Sequence, residues 1–255
     1  MTTTLAVIPA RFGSRRFPGK PLVPILGVPM IVRVATAAQR ASRVDRVLVA
    51  TDDARIASAA EAAGFDVAMT RSDHATGTDR IAEAIEGIQA DIVLNLQGDE
   101  PMLRPDAVNA LVDAFRDPGV RMATLGIRGA TENERNDPMR AKIVVDDLGD
   151  ALYFSRGAIP FRNVAAGATP LAPEARDPLC WKHVGTYGFR REALERFVAE
   201  PRTGLEALED LEQLRALRLG WRIRVVEIDY APWCVEVPDD VAVVEERLSQ
   251  EGVTR

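Results

Sequence analysis

Short runs of aliphatic and β-branched residues alternate with amphipathic stretches along the first half of the chain. Residues 5–10, 46–51, 65–69 and 91–97 have the length and composition of buried strands. Between them, residues 29–40, 53–63 and 78–89 space their apolar positions three and four apart, the period of a helix with one face on a core. This alternation predicts repeated βαβ units, hence an α/β fold with a Rossmann-like, mainly parallel sheet flanked by helices. The second half changes character. Strand-like runs at 121–127, 142–146, 151–155 and 184–189 follow one another with fewer helices between them, which predicts a mixed-sheet extension on the same core. Residues 163–178, rich in Ala, Gly and Pro, read as a mobile loop. Leucines at 208, 211, 214, 217 and 219 predict one helix over 206–219, and residues 222–229 a last strand.

At 255 residues, 47% hydrophobic and 27% charged, the chain can bury the core of one large α/β domain or two small ones. No apolar run is long enough to cross a bilayer. The chain also opens into a strand without the basic and apolar segments of a secretory leader, so a soluble cytoplasmic protein is expected. Cys180 and Cys234 are far apart and lack metal-ligand spacing, so they read as small buried residues, not as a disulfide or zinc site. A net charge of −6 argues against a nucleic-acid partner, because counterion displacement from phosphates needs a basic face. On this acidic background a local cluster of cations points to a small anionic ligand.

That cluster follows the first strand. Arg11, Arg15, Arg16 and Lys20 gather in one loop with Gly13 and Gly19, where the backbone can approach a ligand and Arg can fork onto phosphate oxygens. The loop leaves the carboxyl end of a strand, the edge at which open α/β sheets bind ligands. It is not a Walker loop: Gly13 to Gly19 is one residue too long, and Pro21 stands where a metal-binding hydroxyl belongs. The absence of a Gly-x-Gly-x-x-Gly turn disfavours a dinucleotide-binding oxidoreductase. A second cluster, Asp99 and Glu100 in Asn95-Leu-Gln-Gly-Asp-Glu-Pro101, follows another parallel strand and so emerges at the same edge. Carboxylates facing a polyphosphate site call for a cation between them, and Mg²⁺ takes one or two carboxylates plus phosphate oxygens and water.

Other groups are more ambiguous. Asp53 ends a strand and is read as the cap of the following helix. The turn from Met69 to Arg80 carries small hydroxyl residues with Arg71, His74 and Arg80, and ends at a helix N-terminus, where anions are favoured; His74 alone reads as a satisfied polar residue. His183 and Tyr187 lie four apart on a strand, hence on one face, with Gly185 leaving space between them. They can line a hydroxylated ligand or form a structural pair. Glu212 and Gln213 read by default as part of a solvated helix face.

In order along nearly the whole chain, these residues resemble the bacterial 3-deoxy-manno-octulosonate (KDO) cytidylyltransferase family. The resemblance is carried by Pro9-Ala-Arg11, Arg16, Pro18-Gly-Lys-Pro-Leu22, Ala50-Thr-Asp-Asp53, Met69-Thr-Arg-Ser-Asp-His74, Thr76-Gly-Thr-Asp-Arg80, Gln97-Gly-Asp-Glu-Pro101, Tyr153-Phe-Ser-Arg156, His183, Tyr187 and Leu211-Glu-Gln-Leu-Arg215. It implies a fold of the nucleotide-diphospho-sugar transferase type and a Mg²⁺-dependent transfer of CMP from CTP to the anomeric hydroxyl of KDO, as in lipopolysaccharide biosynthesis. It implies one domain over 1–255, with a CTP-binding half at 1–120 and an acceptor-binding and dimerisation half at 121–255, in a homodimer. It further implies that Ala10, Arg11, Arg16, Lys20, Arg71, Ser72 and Gln97 bind CTP, with Lys20, Arg16 and Asp99 catalytic. Arg80, Gln97, His183, Tyr187, Glu212 and Gln213 would face the acceptor.

Two positions depart from the family pattern. The family usually has Asp-x-Pro-Glu/Asp-Asp near the C-terminus, whose first Asp is a metal ligand; here Val235-Glu-Val-Pro-Asp-Asp240 puts Glu236 there beside Asp99 in the implied metal site. In the helix expected before Ala141, Met139-Arg140 stands where the family often has a shorter polar residue, and the extra cation suits a more anionic acceptor or a surface position. The alternatives are a cytidylyltransferase acting on another anionic acceptor, such as phosphonoformate or a modified octulosonate, and a catalytically silent nucleotide-binding protein.

Overall fold

The chain enters through β1 (Thr4–Ala10), whose Ala6, Val7 and Ile8 are fully buried. It continues through β2 (Pro24–Ile25), β3 (Val28–Pro29), α1 (Met30–Gln39), β4 (Arg46–Thr51), α2 (Ala54–Ala62), β5 (Asp66–Met69), α3 (Gly77–Ala84), β6 (Ile92–Asn95) and α4 (Pro105–Asp113). The computed structural model describes residues 2–14, 16–172 and 174–252; Arg15 of the basic loop lies outside them. The four long strands run parallel in the order β6, β1, β4, β5, with Ala6 opposite both Leu94 and Val47. Parallel neighbours need long crossovers, and the amphipathic helices α1, α2 and α3 supply them, packing on β1, β4 and β5. Asp53 caps α2 as expected, its carboxylate accepting from the Arg55 amide.

The next elements are β7 (Met122–Ile127), α5 (Glu132–Asn136), β8 (Lys142–Val145), β9 (Ala151–Ser155), β10 (Trp181–Arg190), α6 (Arg191–Ala199), α7 (Gly204–Glu209), α8 (Leu214–Arg218) and β11 (Ile223–Glu227). Strand β7 pairs parallel with β11 and antiparallel with β10, and β8 pairs antiparallel with β10 and β9. This is the mixed extension the sequence predicts. The stretch 163–178 has one 3₁₀ turn, Val164–Ala166, and Arg162 grips the Asp177 carboxylate at 2.6 Å; Pro173 is outside the described residues.

The chain divides into two compact units, Met1–Val112 with Pro232–Arg255, and Asp113–Ala231. The C-terminal stretch, grouped with the second half on sequence, thus belongs to the first unit. There α9 (Asp240–Gln250) buries Val244 and Leu248 against Ile25, Met30, Met102 and Val235. Leu26, at φ 48 in the tight turn between β2 and β3, donates its amide to Glu245 at 2.7 Å.

One predicted helix is corrected. Residues 206–219 form two short helices, because Asp210 takes a left-handed conformation (φ 51) that ends α7, a conformation Asp tolerates better than most residues. The helix expected over 78–89 likewise stops at Ala84, ahead of Gly87 at φ 76. Helices α4, α6 and α9 have no counterpart among the elements expected from the sequence. Among the described residues, no helix is long and apolar enough to cross a membrane.

Candidate active site

In the first unit the basic loop closes on Phe12, whose carbonyl accepts from the Ser14 and Gly19 amides at 2.9 Å each. Gly19 sits at φ 74 with the Phe12 ring 3.1 Å from where a Cβ would stand, so another residue there would be strained on both counts. The Arg55 guanidinium lies 3.4 Å above that ring and is itself forked onto Asp53 at 2.9 and 2.7 Å. Ala10 is buried at the end of β1, and Arg11 is exposed. The loop then delivers Lys20 and Arg16 onto carboxylates. Lys20 Nζ meets Asp99 Oδ2 at 2.5 Å, and Arg16 Nη1 pairs with Glu236.

Each carboxylate is placed by its backbone. Gly98 lets the chain after β6 pass β1 closely: a Cβ there would lie 3.2 Å from the Pro9 carbonyl. The Asp99 carbonyl accepts from the Val235 amide at 2.9 Å, which docks the C-terminal stretch and brings Glu236 alongside. Asp240 folds that stretch by accepting from the Glu236 and Val237 amides at 2.7 and 2.9 Å. Burial raises the Asp240 pKa, but those amides, the Trp233 indole and the Lys20 charge outweigh it and hold the group below its usual range. Cys234 is only partly buried and not inert packing: its thiol lies 3.4 Å from Asp99 Oδ1. Burial first, then Asp99 and Glu100, push its pKa up, so it donates as a neutral thiol.

The turn after β5 is organised by α3. Thr76 and Asp79 form a reciprocal cap at its start. Glu83 accepts from the Arg71 amide and guanidinium at 3.0 Å each and pairs with His74, a satisfied polar residue as read. Arg71 and Ser72 are both exposed. Arg80, expected to face the acceptor, is 4% exposed, and its guanidinium bonds Thr70 Oγ1 and the Arg71 carbonyl and lies 3.5 Å from Asp52. In this unit it braces the turn that carries Arg71 and Ser72. Gln97 follows β6 and donates to Asn95 Oδ1 at 3.3 Å.

In the second unit His183 and Tyr187 share a face of β10, with ring centroids 5.5 Å apart. The ladder to β7 shifts between Val184 and Tyr187, three steps on β10 answering one on β7; the two extra residues preserve facing, as an odd number would not. Burial, with the Arg156 charge added, pushes the His183 pKa down to about 3, so the ring is neutral. Tyr187 donates to Gln213 Oε1 at 2.9 Å. Gln213 is 1% exposed and Glu212 half-buried in the turn between α7 and α8, which corrects the solvated helix face expected for them. Arg156, to which the resemblance assigns no role, holds this turn through the Glu209 carbonyl at 2.8 Å; its position just after β9 is the signal the sequence carries for it. Arg140 is exposed and paired with Asp137 at 3.3 Å, which makes it a surface cation.

A parallel sheet with cations and carboxylates paired where its strands end defines a nucleotide-handling transferase of the α/β class. The chain belongs to the cytidylyltransferase family, whose model matches residues 5–223. It is 46% identical over 248 residues to the 3-deoxy-manno-octulosonate cytidylyltransferase of Trichlorobacter lovleyi, covering 96% of this chain and 98% of that one. To the protein of that name from an Anaeromyxobacter species it is 48% identical, covering 94% and 95%. A solved CMP:2-keto-3-deoxy-manno-octonic acid synthetase complexed with CTP superimposes with a TM-score of 0.90 at 41% identity, covering 98% of this chain and 100% of that one. The fold, though not the sequence, is shared with a 4-diphosphocytidyl-2C-methyl-D-erythritol synthase from Anaerococcus prevotii, with a TM-score of 0.63 at 13% identity over 97% of this chain and 99% of that one.

Proposed function

We propose that this chain transfers CMP from CTP to the anomeric hydroxyl of KDO and releases pyrophosphate. The observation that carries this reading is the pairing of Lys20 with Asp99 and Arg16 with Glu236 in a chain whose near full-length relatives bear that name. Arg16 and Lys20 take the phosphates of CTP, and the exposed turn at Arg71 and Ser72 takes the nucleoside. The acceptor hydroxyl loses its proton to solvent as its oxygen attacks the α-phosphorus, the bond from that phosphorus to the bridging oxygen breaks, and its electron pair leaves with pyrophosphate. Phosphoryl transfer of this kind rests mainly on positioning and charge neutralisation, which fixed cations supply.

The donor set fits Mg²⁺. Among the described residues no three His, Cys, Asp or Glu side chains cluster, whereas Asp99 and Glu236 offer two hard oxygen donors on adjoining backbone. Mg²⁺ normally takes one or two carboxylates and completes its shell with phosphate and water. Asp99 and Glu236 would hold it, and when bound it neutralises charge developing on the phosphates.

His183, Tyr187 and the Glu212/Gln213 turn form the acceptor face. We read the enzyme as a cytoplasmic homodimer; the exposed Leu148, Leu152 and Phe161 of the second unit, at 71%, 60% and 83%, support a self-association surface, checked by sedimentation. Pyrophosphate release with CTP, Mg²⁺ and a panel of acceptors tests the activity. Turnover with KDO is expected. Turnover with phosphonoformate and not KDO would replace the acceptor, and CTP binding without any turnover would make the chain a silent nucleotide binder.

A further inference from the structure

We infer that Thr124 is a positioning residue that fixes His183 as its Nε2–H tautomer, leaving Nδ1 as a hydrogen-bond acceptor for a hydroxyl of the acceptor substrate. The inference rests, for the identity of that substrate, on the KDO reading above. Thr124 is fully buried on β7, and its Oγ1 lies 2.9 Å from the Thr186 carbonyl, 3.1 Å from the Val184 carbonyl and 3.0 Å from His183 Nε2. A threonine hydroxyl has one proton, and both carbonyls can only accept. With Nε2 bare, the single proton leaves two of the three contacts lone pair against lone pair, whereas an Nε2–H that donates to the hydroxyl oxygen leaves only one, so the arrangement favours donation from Nε2–H. In a neutral imidazole the other nitrogen is then bare. The ladder irregularity between Val184 and Tyr187 is what gives Thr124 two carbonyls on β10. Phe154, edge-on at 5.2 Å, and Tyr187 hold the ring plane, and burial keeps the ring uncharged.

Gln213 presents the opposite polarity. Its Oε1 is occupied by the Tyr187 hydroxyl, while its buried Nε2 has no hydrogen-bond partner among the described residues. An unsatisfied buried amide of this kind calls for an oxygen acceptor on the ligand. This face thus offers one acceptor, His183 Nδ1, and one donor, Gln213 Nε2. A polyhydroxylated sugar acid meets both. An ionised phosphonate, which has acceptors only, leaves the imidazole lone pair facing another lone pair, so Thr124 biases the enzyme toward hydroxylated acceptors.

The chain has two histidines, His74 and His183, so long-range ¹H–¹⁵N spectra of the ¹⁵N-histidine-labelled protein show two imidazoles, assigned by the loss of one in His183→Gln. The expected His183 signals are a pyrrole-like Nε2 and a pyridine-like Nδ1. Thr124→Val should mix the tautomers and raise the acceptor KM about tenfold, the loss of one hydrogen bond's worth of binding, with the CTP KM unchanged. Thr124→Ser should restore both. An Nδ1–H tautomer or an imidazolium in the wild-type spectrum at neutral pH overturns the inference, and does so even if Thr124→Val fails to fold. Equal shifts in both KM values in Thr124→Val overturn it as well. The spectrum needs no substrate, so turnover of phosphonoformate in place of KDO would overturn the acceptor reading separately.

Discussion

Asp99→Asn separates chemistry from folding. Asn keeps the shape of the side chain and an oxygen for the Cys234 thiol, while it removes the charge and turns the oxygen that accepts from Lys20 into an amide donor. The pair it breaks, Lys20 to Asp99 at 2.5 Å, is 14% and 27% exposed at its two side chains, so Lys20 stays within reach of water when unpaired. The stability cost should be about 1 kcal/mol, a fall of roughly 2–4 °C in Tm for a chain of this size. Catalysis should suffer far more. A carboxylate that binds a phosphate-neutralising cation is worth several kcal/mol at the transition state, and each 1.36 kcal/mol is tenfold in rate, so kcat should fall about 10³-fold. Pyrophosphate release at saturating CTP, Mg²⁺ and acceptor gives kcat, and a thermal melt of the same sample gives Tm. A kcat within about tenfold of wild type would refute the assignment of Asp99 to the metal. A large fall in Tm alongside lost activity would make Asp99 a residue of the fold instead.

Tyr187→Phe leaves Gln213 Oε1 without its 2.9 Å donor, so it should lower stability by about 1–3 kcal/mol and raise the acceptor KM with the CTP KM unchanged, both read from melts and initial rates. His183 has a folded pKa of about 3 against an ordinary value near 6.5. The unfolded chain therefore binds the extra proton between those values, and this residue removes about 1.4 kcal/mol of stability per pH unit as pH falls through that window. Denaturant melts at pH 7 and pH 5 should show that loss in wild type and a smaller one in His183→Gln; equal losses would refute it. Arg215 and Glu206 form a two-bond pair at 2.6 and 3.0 Å, 6% and 3% exposed, so Arg215→Met should cost about 3–5 kcal/mol by stranding a buried carboxylate, measured by denaturant unfolding.

What the sequence made legible follows from how local each signal is. The parallel strands announce themselves because a strand buried on both faces must be apolar throughout, as Ala6, Val7 and Ile8 are. The break at Asp210 is invisible to periodicity: the leucines at 208, 211, 214 and 217 keep helical spacing straight across it. The break matters, because it turns Gln213 inward to Tyr187 instead of out to water. The two charge clusters were readable as residue types at strand ends. Their pairing was not, since Arg16 meets Glu236 across 220 positions of chain, through a C-terminal stretch whose docking depends on Val235 and α9. The roles of Thr124 and Cys234 were hidden for the same reason: a hydroxyl or a thiol carries no pattern until its partner is placed.

On the proposed reading, in which Arg16 and Lys20 take phosphate and Asp99 and Glu236 take the metal, their pairing with one another sets how the ligands must arrive. CTP by itself has to pull Lys20 from Asp99 and Arg16 from Glu236, which leaves two bare carboxylates beside its phosphates. A divalent cation by itself has to displace those same two cations from the same oxygens. When both bind, the cations move to phosphate while the carboxylates move to the metal, and every charge regains a partner. Nucleotide and metal should therefore bind with positive coupling of about 1–3 kcal/mol, or roughly 5–150-fold. Calorimetric titration of CTP with Mg²⁺ and with a chelator measures it. In Asp99→Asn/Glu236→Gln the two cations are released and no carboxylate opposes the phosphates, so CTP should bind at least as tightly without Mg²⁺ as with it. The same Mg²⁺ dependence in that variant as in wild type would show that the coupling resides in the nucleotide alone, and the exchange of partners would be refuted.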